Sequence, residues 1–307
     1  MHILKKLAPL FIVIAAALWG LDGIILRPSL YSLPVPLVVF VEHALAFLIM
    51  LPFFIKEFKE VRKLKKGDWG AFVWVAIFGG AIGTMAITKA LFYVNFVNLS
   101  IVILLQKFQP LFAILLAWLI LKEKLPKKFF AWAGLAVIGG YLVTFGLETP
   151  NLSTGEKTIA AALFSLLAAF SFASSTVFSK RAIQKISFRM GTYLRFGITS
   201  LVMLLVVIGT GNINNINQIN LHQFITFLII VFSTGGLAIF LYYYGLKQVT
   251  ASVSTICELA FPLSAILLEY LIRDNLLSWA QWVGVIILIY SIYKVSIMKE
   301  GRNKYTS

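Results

Sequence analysis

NLSIVILLQKFQPLFAILLAWLILKEK, residues 98–124, is an apolar run with Gln106, Lys107, Gln109 and Pro110 near its middle. About 20 apolar residues suffice to cross a bilayer, so the run is long enough. A weaker copy, TASVSTICELAFPLSAILLEYLIRD, occupies residues 250–274. At a shift of 152, Ser100 falls on Ser252, Gln106 on Glu258, Pro110 on Pro262 and Leu111 on Leu263. Ala113-Ile114-Leu115-Leu116 then falls on Ala265-Ile266-Leu267-Leu268. A membrane helix broken by proline, once in each half, points to a transporter built from two repeats.

The rest of the chain fits that reading. Of its 307 residues, 60% are hydrophobic, and the mean hydropathy is +0.91. A soluble domain has no interior large enough for so much apolar surface. The net charge of +15 would suggest nucleic acid in a soluble protein. Here the basic residues lie in short loops between spans, where they set topology. Cys257, the single cysteine, lies inside a span, so no disulfide framework and no thiol zinc site is expected. The apolar run at residues 7–26 is too long for a signal-peptide core, and no small-residue cleavage site follows it.

Ten spans are predicted, over residues 7–26, 35–55, 69–92, 98–121, 129–147, 158–180, 190–210, 223–246, 251–272 and 279–297. The loop after span two carries six Lys or Arg. The loop after span four has Lys122, Lys124, Lys127 and Lys128, and that after span six has Lys180, Arg181, Lys185 and Arg189. Lys5 and Lys6 precede span one, and Lys299, Arg302 and Lys304 follow span ten. The alternate loops hold only Arg27, Lys157 and Arg273. Positive-inside topology then places both termini in the cytoplasm of a multi-pass plasma-membrane protein.

The duplication extends beyond one span. At a shift of 153, Ala8, Leu10, Phe11, Ala15 and Ala16 fall on Ala161, Leu163, Phe164, Ala168 and Ala169, Glu42 on Arg195, and Met50 on Met203. Gly83, Ala86 and Ile87 match Gly235, Ala238 and Ile239 at 152, and Trp132 and Gly134 match Trp282 and Gly284 at 150. Each half has an odd number of spans, so the second enters the membrane inverted. The loop charges agree: residues 210–223, after span seven, carry no Lys or Arg. The expected fold is an all-α polytopic membrane protein, ten transmembrane helices as two inverted five-helix repeats, residues 1–149 and 150–307.

Trp19-Gly20 in span one, QPLFAILLAWLILKEK closing span four, WAGLAVIGG in span five and the duplicated block resemble the drug/metabolite transporter superfamily, EamA type. The resemblance covers residues 7–297. It implies a carrier for amino acids, sugars, quaternary amines or other small metabolites. It also implies that spans one to four and six to nine surround the cavity, with spans five and ten as a repeat–repeat or dimer surface. In span four, Gln106-Lys107 stands where relatives often have an acidic or neutral residue.

Glu42, Lys107, Arg195 and Glu258 fall near mid-span. Facing lipid, four such charges would cost roughly 10–14 kcal/mol. They must face the bundle interior or a wet cavity. Their repeat positions suggest Glu42–Arg195 and Lys107–Glu258 pairs, which either tie the spans together or handle substrate and protons. Pro110 and Pro262 cannot donate to the carbonyls of Gln106 and Glu258, which are then free for a cation or satisfied by water or hydroxyls. Trp19 and Asp22 lie toward the outer half of span one, where Asp22 binds a cation or proton or sits in water at the mouth. His43 either relays protons or packs against a neighbour. Lys89 and Glu269 sit near outer span ends, where a long stem snorkels. Trp74, Phe92 and Tyr93 line the cavity or belong to the core or belt. Tyr242-Tyr243-Tyr244 reads as an interfacial belt. Gly79-Gly80, Gly83 and Gly235-Gly236 read as close-packing sites between helices.

The function expected from these residues is alternating-access transport of a small metabolite. An amino acid or related compound, exported, is the first candidate, and drug or quaternary-amine efflux or facilitated diffusion the alternative. Protons are the candidate coupling ion, and the carrier is a monomer or homodimer in the bilayer. No cofactor, metal or nucleic acid is expected. GGAIGT lacks the lysine of a phosphate loop and lies in a membrane helix. A membrane-embedded enzyme would need a nucleophile–base pair or metal cluster that one cysteine and one intramembrane histidine do not provide.

Overall fold

The computed structural model of the protein describes residues 7–93, 100–152, 157–273 and 276–298. Within them are ten helices long and apolar enough to cross a membrane: α1 (Ala8–Leu30), α2 (Val35–Phe54), α3 (Lys66–Ala90), α4 (Val102–Leu121), α5 (Lys127–Phe145), α6 (Thr158–Ala182), α7 (Phe188–Gly209), α8 (Leu221–Gln248), α9 (Ala251–Ile272) and α10 (Trp279–Ser296). No strand occurs among the described residues. Every expected span is present, with ends moved by a few residues. Asn98, Asp274, His2 and the terminal cluster Lys5, Lys6, Lys299, Arg302 and Lys304 lie outside the described residues.

The packing is that of a protein dissolved in lipid. Large side chains such as Leu48, Phe53, Trp118, Leu205 and Ile286 point outward. Small residues line many of the helix contacts inside, beside large ones such as Phe72, Phe129 and Tyr193, because lipid tails give no hydrophobic drive and helices gain by close approach. Ala15 and Ala16 of α1 and their repeat partners Ala168 and Ala169 of α6 are all fully buried. α6 also buries Ser165, Ser171, Ser174 and Ser179. Ser165 and Ser174 return their hydroxyls to backbone carbonyls of their own helix.

Two-fold pseudosymmetry is written into the contacts. α1 packs on α8 and α9, and α6, its counterpart, packs on α3 and α4. The symmetric pairs α2 with α7, α5 with α10 and α4 with α9 also touch. Between α5 and α10 the exchange is reciprocal. Gly139 lies against the backbone of Leu288, and Gly284 against that of Val143. The α3 glycines do what their spacing suggested: Gly79 and Gly83 meet Ser175 and Phe172 of α6, and Gly80 meets Thr199 of α7. Gly235-Gly236 does not. These glycines press against Ile230 and Val231 of their own chain, where α8 is interrupted between Phe232 and Gly236.

The two ends of the bundle differ. At the basic end, which bears the lysine-rich loops, the 3-10 segment Ile55–Lys63 and the start of α3 are tied by charge to the α6–α7 turn. Lys185 bonds Asp68 at 2.6 Å, Arg189 bonds Glu57 at 3.4 Å, and Ser187 donates its N–H to Glu60 at 2.6 Å. Burial pushes the Glu60 carboxyl up. The Ser187 bonds and Lys63 and Lys247 outweigh that and hold it below the usual carboxylate range. Lys180, 1% exposed, donates to the carbonyls of Leu246 and Lys247 at the end of α8. Lys247 donates back to those of Ile183, Gln184 and Ile186 beyond the end of α6. Lys180 thus satisfies orphan carbonyls in the last turn of α8, and Lys247 satisfies carbonyls of the chain leaving α6. At the opposite end the corresponding joint is neutral: Gln223 donates to Ser32 Oγ and the Ser29 carbonyl.

Candidate substrate site at the two broken helices

α4 and α9 are each broken just before their proline. α4a (Ser100–Gln106) gives way to α4b (Gln109–Leu121), and α9a (Ala251–Cys257) to α9b (Ala260–Arg273). Proline is accepted in the first turn of a new segment because that N–H would have no helical partner. The breaks tighten to i→i−3 bonds. Lys107 N reaches Leu104 O at 3.1 Å, and Leu259 N reaches Ile256 O at 3.2 Å. Phe261 N reaches Glu258 O at 3.0 Å. The last bond corrects the expectation of a freed Glu258 carbonyl, since the shortened turn supplies a donor that the proline cannot.

The carboxylate of Glu258 sits in a cage of neutral donors. Tyr242 OH (2.9 Å), Ser254 Oγ (3.1 Å) and Thr176 Oγ1 (3.3 Å) surround Oε1, and Gln109 Nε2 donates to Oε2 at 3.3 Å. Residues of α4, α6, α8 and α9 therefore converge on one acid. Lys107 is not its partner, which corrects the Lys107–Glu258 pair. Lys107 is half-buried in the α4 break, with no carboxylate within 4.0 Å among the described residues. Gln106 turns the other way and donates to Ser165 O of α6 at 2.7 Å.

The second expected pair is also replaced. Glu42 is met by Arg27, whose Nη2 lies 3.2 Å from Oε1, and the same guanidinium binds Asp22 at 2.5 Å. Arg195 instead lies over the Tyr243 ring, 5.5 Å from its centre. The physical reason is in α1. Residues Asp22–Leu26 form a π-helical turn running straight into a 3-10 turn at Arg27–Leu30. The wide turn brings Asp22 and Arg27, five residues apart, onto one face, and it carries the arginine inward from the loop where its sequence position put it. Asp22, 6% exposed, is not in water at the mouth. Its Oδ1 also accepts from Thr234 Oγ1 in the α8 break, at 3.1 Å.

Trp19 stands beside Tyr242, with ring centres 5.3 Å apart. Gly20 is required next to it, since a Cβ there would lie 2.0 Å from Ser264 Oγ and 2.9 Å from the Phe261 carbonyl of α9. The tyrosine run is not a belt. Tyr242 and Tyr243 are buried, and Tyr243 OH bonds Ser179 at 3.0 Å. Tyr242 and Thr176 are thus site residues that sequence reasoning passed over. Thr176 and Ser254 sit in Ser/Thr-rich stretches of otherwise apolar helices, and that was the available signal. The remaining candidates pack locally. His43 Nδ1 lies 2.8 Å from Val39 O, and its ring faces Phe196. Trp74 stacks between Phe78 and Phe178. Lys89 is exposed beside Tyr93, and the Phe92 side chain lies outside the described residues.

The mid-membrane region thus offers aromatic faces, hydroxyl and amide hydrogen-bonding groups, the caged acid Glu258 and, among the described residues, two cations without an ion-pair partner, Lys107 and Arg195. Groups of this kind hold a small solute by hydrogen bonds and ring contacts. Among proteins of known sequence, the chain is 47% identical over 288 residues to the riboflavin transporter ImpX of Fusobacterium nucleatum, covering 94% of this chain and 96% of that one. It is 24% identical over 289 residues to an uncharacterized transporter of Synechocystis, covering 88% and 78%. A solved crystal structure at 15% identity superposes with a TM-score of 0.71 over 94% of this chain and 95% of the other, which supports the fold. The description of the EamA-like transporter family matches residues 6–145 and 159–297, one copy on each repeat. The protein is a membrane-embedded small-metabolite transporter and belongs to the EamA-like transporter family.

Proposed function

We propose that the protein carries riboflavin, or a closely similar flavin, across the plasma membrane by alternating access around the broken helices of α4 and α9. The observation that carries this is the 47% identity to a named riboflavin transporter across nearly the whole of both chains. The chemistry of the site supports it. A flavin presents a flat aromatic ring, a carbonyl–NH–carbonyl edge and a hydroxylated chain. Trp19 and Tyr242 offer ring faces of the kind that stack on such a system. Gln109 and Glu258 offer donors and acceptors for the polar edge, and Lys107 a donor for a carbonyl. Nothing comparable favours the amino acid that the sequence alone suggested. In this reading the basic end is cytoplasmic, and Glu42, Asp22 or Glu258 takes up the coupling proton.

The test is counterflow in proteoliposomes loaded with riboflavin, with amino acids and quaternary amines in parallel pools. Saturable riboflavin exchange is expected, reduced roughly tenfold or more by Trp19→Ala, because stacking on an aromatic face is worth about 1–3 kcal/mol. Riboflavin exchange accelerated by an imposed proton gradient would support the coupling. Folded protein that exchanges amino acids or amines but no flavin would overturn the proposal.

A further inference from the structure

The broken helices do not meet along their whole length. α4b packs on α9a at the basic end, where Ala117, Leu121, Val177 and Ala251 form a fully buried apolar cluster. The other two segments diverge: α4a packs on α3 and α6, and α9b on α1 and α5. At the basic end of the α4b–α9a contact a buried polar tie joins the halves of the chain. Glu123, 3% exposed, accepts from Ala251 N at 2.7 Å, Ser252 N at 3.1 Å and Ser252 Oγ at 2.6 Å. The two N–H groups are among the orphan donors at the start of α9. Lys122 aims the acid there by taking a left-handed conformation, φ 55°, that a lysine rarely adopts. Such a conformation persists only where its surroundings hold it.

We infer that Glu123 is the latch of a gate formed by α4b and α9a, and that the structure is the state of the carrier closed at the basic end. The inference rests on the alternating-access reading and goes beyond it. To open the basic end, α9a must separate from α4b. The three bonds to Glu123 break in this movement, together with the Gln109–Glu258 bond at the far end of α4b. Each involves a charged acceptor, which makes it stronger than a neutral bond. The acid is therefore a positioning residue for one state of the cycle. It touches neither of the clusters around Glu258 and Arg27.

The gate is read with a thiol, without substrate. In a Cys257→Ala background, Ala117→Cys places a reporter inside the α4b–α9a contact, where Ala117 is 0% exposed. Ala136→Cys, on α5 and equally buried, reports general loosening. A charged maleimide is applied from the basic side of oriented proteoliposomes. With Glu123 intact, the reporter at 117 should label slowly. Glu123→Gln should raise its rate roughly tenfold, Ser252→Ala should raise it by a smaller factor, and the reporter at 136 should stay slow. An unchanged rate at 117 in both variants, or an equal rise at 136, overturns the latch. If Glu123→Gln does not fold, Ser252→Ala alone decides in the same way. Because labelling needs no flavin, failure of the latch and failure of the flavin proposal are separate results.

Discussion

Arg27 shows how one side chain can be misplaced by reading along the chain alone. It lies beyond the apolar run of α1 and counts there as a loop charge. In the structure it is the cation shared by Asp22 and Glu42. Arg27→Gln should therefore cost about 3–5 kcal/mol, because it strands buried carboxylates without their counter-charge. Arg195→Gln, which removes a charge lying over Tyr243, should cost only about 0.5–2 kcal/mol. Thermal unfolding in one detergent compares the two, and a larger loss from Arg195 would restore the pairing expected from the repeat. What the sequence showed was that buried charges had to be internal. Their partners depended on a π turn, and no hydropathy pattern marks one. Outside the spans, Glu60 gives a pH prediction of known sign. Its carboxyl is held low in the folded state, so its contribution is present above the unfolded value and lost as pH falls through the folded one. Protection of the Ser187 amide, measured against its intrinsic exchange rate at each pH, should fall on acidification below about pH 4.5, the ordinary value for the group.

At the scale of elements, sequence alignment and structure assign different jobs to similar glycines. Gly134 and Gly284 align in the repeat, yet a Cβ on Gly134 would meet nothing within 4 Å, while one on Gly284 would lie 2.6 Å from Val143 N. Gly139, 2.9 Å from Leu288 N by the same measure, is the structural counterpart of Gly284. Gly284→Ala should accordingly destabilise by about 1–3 kcal/mol as the α5–α10 contact is forced apart. Gly134→Ala should stabilise by up to about 1 kcal/mol through helix propensity. Chemical denaturation of the two variants checks the contrast in sign. The number, length and order of the spans were legible because each needs its own apolar stretch. The breaks in α4 and α9 were legible because proline marks them. The break in α8 was not, since a Gly-Gly pair serves a bend as readily as a close contact.

For the whole molecule, duplication was visible in the shifts near 152 and in the alternation of loop charge. The contacts add that the repeats are interleaved, with the principal neighbours of α1, α2, α5 and α6 lying in the opposite half. Residues 1–149 and 150–307 produced as separate chains in one cell should therefore reassemble a working carrier, while either chain alone should be degraded. Transport and chain abundance, measured together, distinguish that outcome from two independently stable halves.

The same interleaving constrains how the protein is made. When the ribosome has delivered α5, the surfaces that α1, α2 and α5 are shaped to cover do not yet exist. Gly20, Gly139 and the Asp22–Arg27–Glu42 group then wait in the bilayer without Ser264, Leu288 or Thr234. The first half of the chain is committed to a partner that is still being translated. Its exposure to membrane quality control should last as long as the synthesis of residues 150–307.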